Sequence, residues 1–131
     1  RIDIRVDVQA VTAADLIKPQ PAESSAEVMA RVAAAHALQT ERYESLGLPS
    51  STRNSHCPAA LIESVAEPDR EGQRLLQDAA EQMRFSARAY HRILKVARTL
   101  ADLDGDDMVR RIHLAEAISY RMAGERLAAA A

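Results

Sequence analysis

The first residues of the chain alternate between apolar and polar side chains. The apolar members of this run are Ile2, Ile4, Val6 and Val8. A period of two residues predicts a half-buried strand, because successive side chains of a strand point to opposite faces of a sheet. A single strand leaves its backbone hydrogen-bonding groups without partners, so we expect its sheet to be formed by a segment that precedes Arg1. We therefore interpret the chain as part of a larger protein.

Downstream of this run the apolar positions recur with a helical period. Ser24 and Glu27 have the spacing of a capping box, which predicts a long helix that continues to about Ser45. Gly47 and Pro49 then end it. Its predicted buried face consists of Val28, Val32, Ala35, Gln39, Tyr43 and Leu46.

Caps and apolar periodicity predict further, shorter helices. They are one opening at Thr12, one from Pro58 to Val65, one starting at Pro68-Asp69, one from Ser86 to Gly105, and one from about Asp106 to Met122. The predicted buried face of the last helix is Met108, Val109, Ile112, Ala115, Ile118 and Met122. The predicted fold class is mainly α, a helical bundle preceded by a lone N-terminal strand and a long connecting helix.

The composition is typical of packed helices, and the net charge limits the classes of binding partner. Aromatic residues are only 3% of the chain and Trp is absent, so small and unbranched apolar side chains must form the core. The net charge of -2 favours neither nucleic acid nor a membrane surface as a partner of the whole chain. Cys57 is the only cysteine, which excludes an internal disulfide and suits a reducing compartment.

The histidines, the cysteine and the aspartates do not predict a metal site. His56 and Cys57 are adjacent in the sequence, whereas residues that share one metal are usually two to four positions apart. The aspartates around Gly105 lack the twelve-residue pattern and the closing glutamate of a calcium loop. We expect these aspartates to close one helix and cap the next.

The helix over residues 86–103 separates its apolar and basic residues cleanly, at roughly 100° per residue. Its predicted apolar arc is Ala89, Ile93, Val96, Ala97, Leu100 and Leu103, and the opposite basic stripe is Arg88, His91, Arg92, Lys95 and Arg98. Arg88 lies in the first turn, where the helix dipole favours an anion. A phosphate there would meet both the exposed N–H groups and the guanidinium. The alternative is a solvated face whose charges contribute little.

Several segments resemble one family in order along the chain. The run SARAYHRILKVARTLADL at 86–103 resembles the lid segment of magnesium-chelatase-like AAA+ ATPases, within their ComM (YifB) group. RIDIRVDV resembles the strand that leaves the AAA+ core, and ESSAEVMARVAAAHALQTERY resembles the long helix that follows. Asn54, Pro68-Asp69 and HLAEAISYR also match. The resemblance implies that residues 1–23 end the AAA+ core, 24–49 form the connecting helix, 50–125 form the helical lid domain and 126–131 form a frayed tail.

The resemblance also implies roles for individual residues. AAA+ proteins bind ATP between a core and a lid, and the lid contributes a sensor-2 arginine. By motif match this arginine is Arg88, in Ser86-Ala-Arg88, and we place Ser86 and Arg92 beside it as cofactor-binding candidates. Arg1, in Arg1-Ile2-Asp3, matches an arginine finger that reaches the nucleotide of a neighbouring subunit. Arginine suits both positions because its permanent charge stabilises a transferring phosphoryl group.

The resemblance further implies ATP and Mg²⁺ as cofactors of the full-length protein. The chain has no G-x-x-x-x-G-K-[ST] loop and no acidic strand for Mg²⁺, so we expect it to bind no cofactor and to catalyse no reaction alone. The implied partners are an upstream AAA+ core, further copies in a hexameric ring, and DNA, in the bacterial cytoplasm and without a membrane. The implied activity is ATP-driven DNA remodelling, such as branch migration in natural transformation.

Two alternatives remain open. The chain could be the lid of a magnesium-chelatase subunit, which shares the arginines and acts with partner subunits on a porphyrin. It could also be a stand-alone DNA- or protein-binding module that uses the basic stripe from Arg88 to Arg98. Tight DNA binding with a steep dependence on salt would favour the module.

Overall fold

A computed structural model describes the backbone of residues 2–18 and 22–130 and the side chains of these ranges up to Glu125. Its elements are α1 (Ala13–Ile17), α2 (Ser25–Ser45), a 3-10 turn (Asn54–His56), α3 (Ala59–Val65), α4 (Arg70–Met83), α5 (Ala87–Leu103) and α6 (Arg111–Ala130). Thr12 and Ser24 form the capping boxes of α1 and α2. The mainly α fold class is confirmed.

The predicted N-terminal strand is not present in the part of the chain that the structure describes. Residues 2–12 form no ladder with any described segment, because a strand requires a neighbouring strand to receive its hydrogen bonds. The apolar side chains of the run therefore stay exposed, with Ile2 at 67% and Val8 at 86%. The contacts of this run with the bundle are made by its polar members, Asp3 and Arg5.

Helix α5 is the centre of the bundle. It packs against α2, the 3-10 turn, α3 and α6, and α4 packs against α6. Ala97 and Ala101 of α5 are fully buried, and their small side chains let the neighbouring helices approach closely. The largest fully buried side chains are Tyr43, Ile62, Leu76, Leu94, Leu114, Val109, Asn54 and Asp102. The core is thus mostly aliphatic, as the low aromatic content predicts, but it contains polar groups.

The contact between α4 and α6 depends on a glycine. A Cβ atom at Gly72 would lie 2.8 Å from Cδ1 of Leu114 and 2.9 Å from Oδ1 of Asp69, so a larger residue would force these side chains to shift. Asp69 caps α4, because its Oδ1 accepts a hydrogen bond from the Gly72 amide at 2.7 Å. The Asp69 amide donates to the Val109 carbonyl at 2.9 Å, which fixes the start of α4 to the segment before α6.

Helix α2 packs only through its C-terminal half. Ala35, Gln39 and Tyr43, which belong to the predicted face, are buried, whereas the other members of that face, Val28, Val32 and Leu46, are 37%, 39% and 45% exposed. The orientation of α2 was therefore predicted correctly, although its first three turns extend beyond the bundle.

The predicted bounds of the last helix were wrong, and its predicted buried face was only partly right, because Val109 and Ile118 alone of that face are buried. Helix α6 begins at Arg111 rather than near Asp106, and it continues past Met122 to Ala130. The buried residues are His113, Leu114, Ala117 and Ile118 of the helix and Val109, two residues before it, whereas Ile112 is 65% exposed. The physical reason is that residues 106–110 form a loop whose carbonyls accept hydrogen bonds from Arg98, so the helix starts later and is rotated.

Candidate functional site

Arg88 lies in the first turn of α5 and is exposed. Ser86 is the N-cap, and its Oγ accepts a hydrogen bond from the Ala89 amide at 3.2 Å. Ser86 therefore holds the start of the helix that carries Arg88. Across residues 2–18 and 22–125, no hydrogen bond or ion pair reaches the Arg88 guanidinium. Both the cation and the positive end of the helix dipole are accessible to an anion.

The next three residues of the predicted basic stripe have partners within the chain. His91 Nε2 lies 3.3 Å from Oε1 of Glu63. The guanidinium of Arg92 forms an ion pair with the carboxylate of Asp3. Lys95 donates through Nζ to the Ser55 carbonyl at 3.1 Å. These contacts involve exposed or half-exposed groups, so they orient the side chains without removing them from solvent.

An open groove of about 540 Å³ runs along this face of α5. Its lining residues are Asp3, Ser55, Ala59, Arg88, His91, Arg92 and Lys95. We call it the Arg88 groove. Three permanent cations and one carboxylate line it, so the net charge of its walls is positive. Such a surface can bind a multiply charged phosphate group through charge-assisted hydrogen bonds.

The assignment of Arg98 to the basic stripe was wrong, because Arg98 lies on the buried side of α5. Only 3% of Arg98 is exposed. Its Nε donates to Oδ1 of Asp102 at 3.1 Å, and its two terminal nitrogens donate to the Asp107 and Asp106 carbonyls at 2.9 and 2.7 Å. Because α5 is packed on several sides, its buried face is wider than the predicted arc. That face is Ala89, Ile93, Leu94, Ala97, Arg98, Ala101 and Asp102.

Asp102 is the centre of a buried polar network. Its side chain is fully buried and accepts hydrogen bonds from two arginines and an amide. Arg42 of α2 binds it with two nitrogens, at 2.9 and 2.5 Å. Asn54 donates to Oδ2 of Asp102 at 2.9 Å. The bidentate arginine geometry compensates a carboxylate that would otherwise be costly to bury near the negative end of a helix.

Asn54 extends this network to three further side chains. Its Oδ1 accepts a hydrogen bond from the Tyr43 hydroxyl at 2.8 Å, and its Nδ2 donates to the Thr99 hydroxyl at 3.0 Å. The backbone amide of Asn54 donates to Oε1 of Gln39 at 3.0 Å. The network therefore joins α2, the 3-10 turn and α5, and it fixes the long helix to the bundle.

The ionisation of the network follows from burial and charge. Burial opposes the charge of Arg42, but the hydrogen bonds and the charge of Asp102 prevail and raise the pKa of that guanidinium. For Arg98 burial prevails and lowers the pKa from its ordinary value, although Asp102 opposes this shift. Burial also raises the pKa of the Tyr43 phenol. The phenol therefore remains a neutral donor to Asn54 at neutral pH.

Sequence reasoning missed most of this network. Asp102 was predicted to close a helix, and Arg42 was not singled out. The available signal was the spacing of Arg98 and Asp102, which are four residues apart and can therefore pair on one side of the helix. The prediction for Arg1 concerns a residue outside the described ranges.

Within the described ranges, no three His, Cys, Asp or Glu side chains converge as metal ligands would. None of the described helices combines the length and apolar character of a transmembrane segment.

Comparisons with known proteins give consistent results. Residues 22–121 match the family described as magnesium chelatase, subunit ChlI C-terminal. The protein YifB of Salmonella typhimurium is 39% identical over 99 residues, which are 76% of this chain and 18% of that protein. YifB of Escherichia coli is 39% identical over 101 residues, or 77% and 19%. Competence protein ComM of Haemophilus influenzae is 36% identical over 99 residues, or 76% and 18%. The chain thus spans about a fifth of these relatives.

Proposed function

This chain belongs to the magnesium chelatase ChlI C-terminal family, and on that basis we propose that it is the nucleotide-sensing lid of a ComM-like AAA+ ATPase. In this role Arg88 contacts the phosphates of ATP that an AAA+ core holds against the lid. Ser86 sets the helix start and Arg92 lines the same groove. ATP and Mg²⁺ are the proposed cofactors of the whole protein.

The observation that carries this proposal is the contrast among the cations of α5. Arg92 and Lys95 already have partners, and Arg98 is buried, but Arg88 has no partner among the described residues and stands at a helix start. A cation at that end of a helix faces an unfavourable dipole, and a bound anion would reverse this cost. A phosphate group has the charge and the acceptor geometry that this position requires.

The buried network supports the mechanical part of the proposal. Asp102 and Asn54 tie α5 to α2, and Arg88 lies at the other end of the same α5. A change in the position of Arg88 on phosphate release would therefore move α2 together with the bundle. We propose that this movement signals to the other subunits of a ring which nucleotide is bound. The ring acts on DNA in the bacterial cytoplasm. Arg1 is the proposed finger toward a neighbouring subunit.

The experiment is an ATPase assay of the full-length protein with Arg88→Ala. We expect turnover to fall about tenfold or more, because an arginine on the phosphates stabilises the charge of the transition state. Arg88→Lys should recover only part of the activity, since lysine keeps the charge but not the planar, bidentate guanidinium. Arg74→Ala is the matched control, because Arg74 is an exposed arginine on α4 outside the groove. Normal turnover in Arg88→Ala would remove Arg88 from the site.

The two alternative functions, a magnesium-chelatase subunit and a DNA-binding module, predict different experimental results. A magnesium-chelatase subunit would show an ATPase activity that depends on a porphyrin and on partner subunits. A stand-alone DNA-binding module would bind duplex DNA as the isolated 131-residue chain, with affinity falling steeply as salt increases. The structure argues against the module, because burial of Arg98 and pairing of Arg92 reduce the cations that could contact a DNA backbone.

A further inference from the structure

We propose that Lys95 is a second phosphate contact in the Arg88 groove, and that its ammonium group exchanges between the Ser55 carbonyl and the phosphates. This exchange transmits the nucleotide state to the 3-10 turn (Asn54–His56) and from there to α2. The inference rests on the proposed function, in which the groove receives the phosphates of ATP. It adds a positioning residue and a route that movement of Arg88 alone does not supply.

The first observation is the position of Lys95 relative to Arg88. Lys95 lines the same groove about two helical turns farther along α5. Side chains of a helix lean toward its N-terminus, so the Lys95 side chain covers the turn on the Arg88 side of its own Cα. An extended triphosphate that lies along the groove can therefore meet the guanidinium of Arg88 at one end and the ammonium of Lys95 at the other.

The second observation is that the present partner of Lys95 is replaceable. Its Nζ donates to the Ser55 carbonyl at 3.1 Å, and this is the one hydrogen bond of the ammonium group within residues 2–18 and 22–125. Ser55 is exposed, so water can take the place of Lys95 on its carbonyl. A phosphate oxygen is a charged acceptor, which binds an ammonium group more strongly than a neutral carbonyl does. Bound phosphate therefore draws Lys95 away from Ser55.

The third observation is that Ser55 belongs to the turn that holds α2. The side chain of Lys95 forms the exposed attachment of this turn to α5. Asn54 forms the buried attachment, because its Nδ2 donates to the Thr99 hydroxyl at 3.0 Å, and it also bonds to two side chains of α2. Release of the exposed attachment loosens the Ser55 side of the turn while the Asn54 side stays fixed. Phosphate binding thus changes the turn to which α2 is bonded.

Two substitutions of Lys95 in the full-length protein separate this role from a general effect of charge. Lys95→Met keeps an unbranched apolar stem but removes the ammonium, so the KM for ATP should rise about fivefold, the upper value for one exposed ionic contact, with a smaller effect on kcat. Lys95→Arg keeps a cation that can bind phosphate and should recover most of the affinity. Arg74→Ala is the control, because it loses a cation outside the groove.

A readout that does not depend on turnover is amide hydrogen exchange of residues 53–57, measured by mass spectrometry with and without a non-hydrolysable ATP analogue. The amides of His56 and Cys57 donate to carbonyls three residues back at 2.8 and 3.1 Å, so their exchange reports on opening of the turn. A ligand ordinarily slows exchange, whereas here the analogue should accelerate it, because Lys95 leaves Ser55. Lys95→Met should show the faster exchange without nucleotide and no further change with it.

The contrary results distinguish failure of this inference from failure of the proposed function. Suppose that Arg88→Ala loses turnover, but Lys95→Met keeps the KM of the unaltered protein or the analogue does not accelerate exchange of residues 53–57. The exchange of Lys95 is then refuted, and Arg88 alone senses the phosphates. If Arg88→Ala keeps normal turnover, the groove is not a phosphate site and both proposals fail.

Discussion

Arg88 and Arg98 belong to the same helix and the same predicted stripe, yet they differ in almost every physical respect. Arg98 is buried, and its guanidinium donates to Asp102 and to two loop carbonyls. Arg88 is exposed, and no other described residue binds its guanidinium. A buried charge must be paired in the native state, whereas an exposed one can remain available to a ligand. Arg98 therefore stabilises the fold, whereas Arg88 is available to bind a ligand.

The largest expected effect comes from removing the carboxylate that Arg42 and Arg98 share. Asp102→Ala would leave both guanidinium groups without their common anion and would remove one of the two acceptors of Asn54 Nδ2. We expect the free energy of unfolding to fall by about 3–5 kcal/mol, the cost of breaking a buried pair from one side. Urea denaturation of the chain measures it. A loss below about 1 kcal/mol would show that the network is not what stabilises this end of α5.

A smaller effect is expected at the edge of the network, and it depends on pH. Tyr43→Phe removes a hydrogen bond to Asn54, which should cost about 1 kcal/mol at neutral pH. Burial raises the pKa of the Tyr43 phenol, so its contribution is complete below the unfolded-state pKa near 10 and is lost as pH rises above that value. The stability difference between the two proteins should therefore shrink above about pH 10.

Urea midpoints of both proteins from pH 7 to 11 check this prediction. Tyr90 and Tyr120 are common to both proteins, so their ionisation cancels in the difference. A difference that stays constant over the whole range would mean that the Tyr43 phenol titrates normally in the folded chain.

The smallest effect on stability is expected for Arg88→Ala. Because the guanidinium is exposed and has no hydrogen bond or ion pair with the described residues, the free energy of unfolding should change by no more than about 0.5 kcal/mol. The same urea titration measures it beside Asp102→Ala. A loss larger than about 1 kcal/mol would place Arg88 with Arg98 as a structural residue and would remove the contrast between them.

Much of the helical framework could be predicted, because local interactions determine it. Ser24, Asp69 and Ser86 cap their helices as their sequence contexts indicate, and α2 ends at Ser45 as predicted. The cap residues bond to amides three positions away, so no distant part of the chain is needed to infer them. Helix α6 was placed wrongly because its start is set by a loop that Arg98 holds from another helix.

The candidate site was only partly predictable for the same reason. The position of Arg88 in the first turn of a helix follows from Ser86 and the periodicity of the run that it opens. Whether a cation of that run is free, paired or buried depends on Asp3, Ser55 and Asp102, which lie 89, 40 and 4 residues from their partners. Periodicity assigns one face to a helix, whereas the central helix of a bundle is packed on several sides.

The amino-acid sequence by itself therefore determined most of the helices, their caps and the residue that opens α5, since each of these depends on neighbours within a few positions. Only the tertiary structure decided that Arg98 is buried with Asp102 and that Asp3 shares a groove with Arg88. The physical reason is that the free energy of a charge depends on its solvent exposure and on its partners, and both are set by distant segments that folding brings together.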